Sequence, residues 1–324
     1  RKVPFWFGGA VDTEISRVDL RLQLVETRGG LLRVFDTAEF GVRVREPGQT
    51  HKRTFISVID GSVQYYGITP MVEGDPDAWP PPALYLTLHG AGVEGIGQAR
   101  VYRRKQEGHV VAPTNRRPFG FDWEDWGRLD AIEVLELNQR RLGIDPDRTY
   151  LTGHSMGGHG TWHLGVTFPG RFAAIGPSAG WRSFTSYTGS ERFDNASPVE
   201  RILALAANPS DTVALSRNTL HYGVYILHGD KDDNVPVEQA RFMREHLGDF
   251  HPDLAYHEEP GAGHWWGNQC CDWDPMFDFF RARTRPAIRE RFEFHTANPG
   301  ISATSEWVTI EQQITPLAFS SVEA

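Results

Sequence analysis

In the middle of the chain apolar residues come in short runs separated by amphipathic stretches. Towards both ends they alternate singly with polar ones. Residues 83–88 (Ala-Leu-Tyr-Leu-Thr-Leu), 109–112, the pair Tyr150 and Leu151, 171–179, and the runs opening at Gly223 and Leu254 read as buried strands. Residues 127–142 place Leu129, Ile132, Leu135 and Leu142 at helical spacing, and Gly143 ends that helix. Further helices are expected at 97–106, 161–168, 198–207, 237–247 and 274–283. Such alternation predicts the α/β class, with a mostly parallel, doubly wound sheet. Residues 53–59 and 62–69 predict a hairpin around Asp60-Gly61, and residues 73–82 a Pro-rich loop.

At the N-terminal end, residues 17–25 predict a strand with one wet face, residues 28–30 a turn, and 31–35 and 40–44 further short strands. After Arg285-Pro286, residues 290–296 and 305–312 predict strands around the turn Asn298-Pro299-Gly300. The expected organisation is a β-rich segment 1–48, a catalytic domain 49–285 with a small lid-like insertion at 180–220, and a β-rich segment 286–324. That last segment either pairs with the N-terminal strands or begins a further domain.

One stretch organises the chain: Gly153-His154-Ser155-Met156-Gly157, placed between a strand and a helix. This is the pattern of a nucleophile elbow, in which a serine sits on a sharp, strained turn. Side chains two residues either side would clash, which accounts for Gly153 and Gly157. The following helix points its free N–H groups towards a developing oxyanion. A serine nucleophile needs a base and an orienting acid, which on such a sheet follow in the order acid, then histidine. Asp232 follows a strand in His228-Gly229-Asp230-Lys231-Asp232, and His264 follows another in Gly261-Ala262-Gly263-His264. Both lie past strand C-termini, where ligands bind in open α/β sheets.

His228-Gly229-x-x-Asp232-x-x-Val235-Pro236 resembles the acid loop of α/β-hydrolases of the prolyl-oligopeptidase and feruloyl/acetyl-xylan esterase superfamily. Gly261-x-Gly263-His264 resembles their histidine loop, and Leu88-His89-Gly90-Ala91-Gly92 their oxyanion loop. The resemblance covers roughly residues 50–285 and implies the α/β-hydrolase fold and a Ser155–His264–Asp232 triad. The backbone N–H groups of Met156 and Ala91 are the candidate oxyanion donors. Neither metal nor organic cofactor is implied.

Composition narrows the function further. The net charge of −9 shows no basic stripe and argues against nucleic acid. No apolar run approaches the length of a membrane span. Cys270 and Cys271 are adjacent, so a long-loop disulfide is impossible, and they are either reduced and buried or joined as a vicinal disulfide. The sequence spacing shows no zinc ligand set. His159 and His163 stand four apart on a helix, where packing is favoured over metal binding. Asp230-x-Asp232-x-Asn234 lacks the Gly and Glu of a calcium loop. Trp265, Trp181 and His154 are candidate substrate contacts. Arg116 or Arg117 either greets an anionic group or pairs with Asp122, Glu124 or Asp125.

The expected activity is hydrolysis of small or polymer-linked carboxylic esters through an acyl-enzyme. The residues ahead of the catalytic domain are too few for the propeller with which prolyl oligopeptidases filter peptides. A peptidase of the same superfamily, in a chain that is part of a longer protein, is the alternative. The resembled esterases suggest a secreted or periplasmic setting.

Overall fold

The computed structural model describes residues 15–73, 80–189 and 197–324. Segment 1–14 and most of the Pro-rich loop and part of the insertion lie outside the described residues. The elements in chain order are β1 (Arg17–Arg28), β2 (Leu31–Arg43), β3 (His51–Ile56), β4 (Val63–Thr69), β5 (Ala83–Leu88), α1 (Gly95–Arg100), β6 (Gly108–Ala112), α2 (Trp126–Arg141), β7 (Thr149–His154), α3 (Met156–Thr167) and β8 (Ala174–Ser178). They continue with α4 (Phe184–Thr188), α5 (Pro198–Ala207), β9 (Gly223–Gly229), α6 (Glu238–Gly248), β10 (Leu254–Glu259), α7 (Asp274–Arg281), β11 (Glu293–Thr296), β12 (Thr304–Ser305), β13 (Val308–Thr309) and β14 (Ser320–Glu323).

Eight strands make the central sheet, in the order β10-β9-β8-β7-β5-β6-β4-β3. The β3–β4 and β4–β6 pairs are antiparallel, and the remaining pairs are parallel. Parallel strands need crossover helices, and those helices bury both faces of the sheet. Alternate residues therefore feed two cores. Leu84, Leu86, Leu151, Ile175, Val224 and Ile226 pack with Val134 and Leu135 of α2, Trp162 and Leu164 of α3, and Met243 of α6. Tyr85, Val110, Tyr150, Ala174 and Tyr225 pack on the other side with Met276, Phe277 and Phe280 of α7. This two-sided burial is why these strands read as continuous apolar runs. The fold is the mostly parallel α/β-hydrolase sheet with added strands.

At the ends the structure departs from expectation. Residues 31–43 form one long strand, not two short ones. β1 and β2 pair along their whole length, with a bulge at Leu24/Val25 that absorbs the break in the apolar pattern. The C-terminal strands do not pair with this ribbon. β11 pairs with β14 and is stitched to the hydrolase through Asn218. That side chain donates to Val166 O and His295 O and accepts from the His295 N–H. Ser302 Oγ donates to Thr167 O at 2.5 Å, the end of α3. α1 is shorter than the pattern predicts, stopping at Arg100.

Candidate active site

β7 runs into Ser155, which adopts φ 60° and ψ −120°, and α3 begins at the next residue. A positive φ on a residue with a Cβ costs about 1–2 kcal/mol. The surroundings hold it there. Ser155 N–H donates to Ser178 O at the end of β8, and Ser155 O accepts from His159 N–H, each at 3.0 Å. A Cβ on Gly157 would run into the carbonyl of Leu88, so the close approach of α3 to β5 requires glycine there. A Cβ on Gly153 would likewise meet the Gly157 carbonyl.

His264 arrives on the loop after β10. Its Nε2 lies 2.9 Å from Ser155 Oγ and its Nδ1 2.8 Å from Asp232 Oδ2. A carboxylate only accepts, so Nδ1 carries the proton and Nε2 presents its lone pair to the Ser155 hydroxyl. The Asp232 side chain is fully buried. Its Oδ1 accepts from the N–H groups of Asn234 (2.9 Å) and Val235 (2.8 Å), and Oδ2 lies 3.2 Å from His228 Nε2. Burial pushes its carboxyl up. The hydrogen bonds from His228, His264, Asn234 and Val235 together outweigh that, and the group is held well below the usual carboxylate range. The acid and histidine loops are also tied directly: Lys231 N–H donates to Ala262 O at 2.8 Å, and Gly261 N–H to Asp230 Oδ1 at 2.5 Å.

Met156 is the first residue of α3, so its N–H is among the donors left without an intrahelical partner. Ala91 follows Gly90, whose Cβ position would lie 3.4 Å from Ser155 Cβ. Ala91 itself is exposed. Met156 thus adjoins the serine, and the residue before Ala91 packs against it.

The three candidate substrate contacts separate. Trp265 is 52 % exposed beside His264. Trp181 is buried, stacked between His159 (5.1 Å) and Tyr187 (4.4 Å). His154 is also buried: its Nε2–H donates to the backbone carbonyl of His264 at 2.8 Å, and its ring packs 4.8 Å from the His264 ring. Trp181 and His154 therefore spend their surfaces inside the protein. Burial, then the neighbouring His264, brings His154 down to about 4, so it is neutral near neutral pH.

Loop 114–126 flanks the elbow. Asp122 N–H lies 3.2 Å from Met156 Sδ, and Trp123 Nε1–H donates to His89 O at 3.2 Å. Arg116 pairs with Asp60 and Glu133 from distant elements, not with the acids of its own loop. Glu124 Oε1 instead lies 2.9 Å from His159 Nε2, while His159 Nδ1 lies 3.0 Å from Trp181 O. Nothing in the spacing of Glu124 and His159 signals that pair. His163 has no hydrogen-bond partner on either nitrogen, and burial brings it down to about 4. A cavity of about 370 Å³ between Arg117, Phe121, Asp122 and Trp126 opens on this side of the elbow. A larger one, of about 800 Å³, lies between Phe168, Arg285, Ile301 and Trp307 and includes no residue of the Ser155 cluster.

A model of the prolyl oligopeptidase family matches residues 114–284, more than half of the chain. The chain belongs to the prolyl oligopeptidase family. The family is one of serine hydrolases, and the chain shares its α/β-hydrolase fold. It is 28% identical over 261 residues to an uncharacterized secreted protein of Arthroderma benhamiae, a match covering 74% of this chain and 28% of that protein. The chain thus spans little more than a quarter of that relative. It is also 28% identical over 187 residues to the uncharacterized peptidase YtmA of Bacillus subtilis, covering 52% of this chain and 70% of that one. Among solved structures it resembles a thermostable esterase, with a TM-score of 0.53 at 19% identity over 78% of this chain and 69% of the other. At that identity the likeness is one of fold.

Proposed function

We propose that this family member hydrolyses carboxylic esters, with Ser155 as nucleophile, His264 as base and Asp232 as its orienting acid. The observation that carries the reading is the unbroken series Ser155 Oγ–His264–Asp232, at 2.9 and 2.8 Å, on a serine held at φ 60°. Ser155 Oγ attacks the ester carbonyl while His264 Nε2 takes its proton. The tetrahedral oxyanion is held by the N–H groups of Met156 and Ala91. As it collapses, the C–O bond breaks and His264 returns the proton to the leaving alkoxide, freeing the alcohol. Water, deprotonated by His264, then attacks the acyl-serine and releases the acid. Asp232 stays ionised throughout and stabilises the imidazolium.

Esters are favoured over peptides by the aromatic faces beside the elbow. In loop 114–126, Arg116 and Glu124 are committed to Glu133 and His159. Phe121 and Trp265 offer exposed aromatic faces to an uncharged acyl group. The family match favours the second reading, a peptidase.

Short-chain nitrophenyl esters, a feruloyl ester and a Pro-nitroanilide, offered to the chain and to Ser155→Ala, separate the two. Ester turnover that vanishes in the variant is expected. Anilide turnover without ester turnover would establish the peptidase instead.

A further inference from the structure

Cys270, Cys271 and His154 converge in a way that the mechanism does not use. Both cysteines and His154 are buried, and a ring nitrogen of His154 and the two sulfurs all lie within 4.8 Å of one another. The cysteines are free, with their sulfurs 4.0 Å apart. That is about twice the length of a disulfide bond, ~2.05 Å. It is close to the ~3.8 Å that separates two sulfurs bound tetrahedrally at ~2.3 Å to one zinc ion. The histidine is prepared as well. Its Nε2–H is spent on the His264 carbonyl, so the lone pair lies on Nδ1. A backbone carbonyl holding the far nitrogen is the usual support of a metal-bound imidazole.

We propose that Cys270 Sγ, Cys271 Sγ and His154 Nδ1 bind one zinc ion, which fastens the loop after His264 to the strand end that carries Ser155. Charge favours a divalent ion. Two thiolates, a neutral imidazole and Zn²⁺ sum to zero, which a buried site tolerates, whereas a monovalent ion would leave a net negative charge. Without a cation both groups stay as thiols, so loading exchanges two S–H protons for two Zn–S bonds and releases two protons per ion. The turn Asn268–Cys270 brings Cys270 to the site, and its exposed Asn268 and Gln269 line a cavity of about 590 Å³.

The zinc site does not depend on the triad assignment, and its test does not use hydrolysis. Zinc content is measured on the protein isolated under reducing conditions. The protein is then stripped with a chelator and titrated with Co²⁺ as the spectroscopic probe. Expected are saturation at one ion per chain, a sulfur-to-cobalt charge-transfer band, release of about two protons per ion and displacement by Zn²⁺. The Cys270→Ser/Cys271→Ser double variant should lose the band while keeping its far-ultraviolet dichroism. Should that variant not fold, Cys271→Ser alone is expected to weaken binding at least tenfold. The proposal falls if reduced wild-type protein gives no charge-transfer band, or if the serine variants bind Co²⁺ as tightly as wild type.

Discussion

His154 Nε2–H donates to the carbonyl oxygen of His264 at 2.8 Å, so the residue preceding Ser155 holds the backbone of His264. A positioning role predicts that His154→Phe lowers kcat tenfold or more with KM within about twofold, because a misplaced base affects the transition state and not substrate binding. The measurement is made with chelator present, so that only the hydrogen bond is removed. A raised KM at unchanged kcat would return His154 to the role of a substrate contact.

Ser155 stands at φ 60°, a region that favours glycine. Ser155→Gly should therefore abolish ester turnover while raising unfolding stability by about 1 kcal/mol through relief of strain. Denaturant titration of the two proteins checks this, and a less stable variant would show that the seryl side chain contributes more than its backbone costs.

Gly157 permits α3 to meet β5, since a Cβ there would enter the carbonyl of Leu88. Gly157→Ala must push the helix away or break the elbow. A loss of about 3 kcal/mol or more is expected, the range of overpacked or strained core changes. A variant melting like the wild type would mean that this contact yields at little cost.

Asp232 is buried, accepts four hydrogen bonds or close contacts and stays ionised. Asp232→Asn keeps the shape but takes away the charge that holds the His264 tautomer. A fall in kcat of about 10⁴-fold is expected, with little change in the far-ultraviolet spectrum. A fall below tenfold would remove Asp232 from the triad.

Burial brings His109, His154, His163 and His221 each down to about 4. Their unfolded value is near 6.5. Between these values the unfolded chain binds more protons than the folded one, so stability is full above about pH 6.5 and is lost as pH falls towards 4. Tm should drop steeply across that window. His163→Leu, which removes an imidazole without a hydrogen-bond partner, should flatten the slope by about one proton. An unchanged slope would mean that His163 takes up its proton inside the fold.

The sequence by itself determined the buried strands, because residues packed on both faces of a parallel sheet must be apolar in continuous runs. It also pointed to the elbow, because its strained turn tolerates little but glycine around Ser155. Asp232 and His264 were legible for the same reason: loops that end strands at a site carry local patterns. Pairings between side chains far apart in sequence were decided only by the tertiary structure. Arg116 finds Asp60 and Glu133, Glu124 finds His159, and His154 meets both the His264 carbonyl and the two cysteines 116 and 117 positions later. Such contacts carry no periodicity, since they depend on which strand ends the sheet order brings together. The order β8-β7-β5 places the end of β7 between β8 and the loop that follows β5, and no local pattern of apolar and polar residues encodes that order.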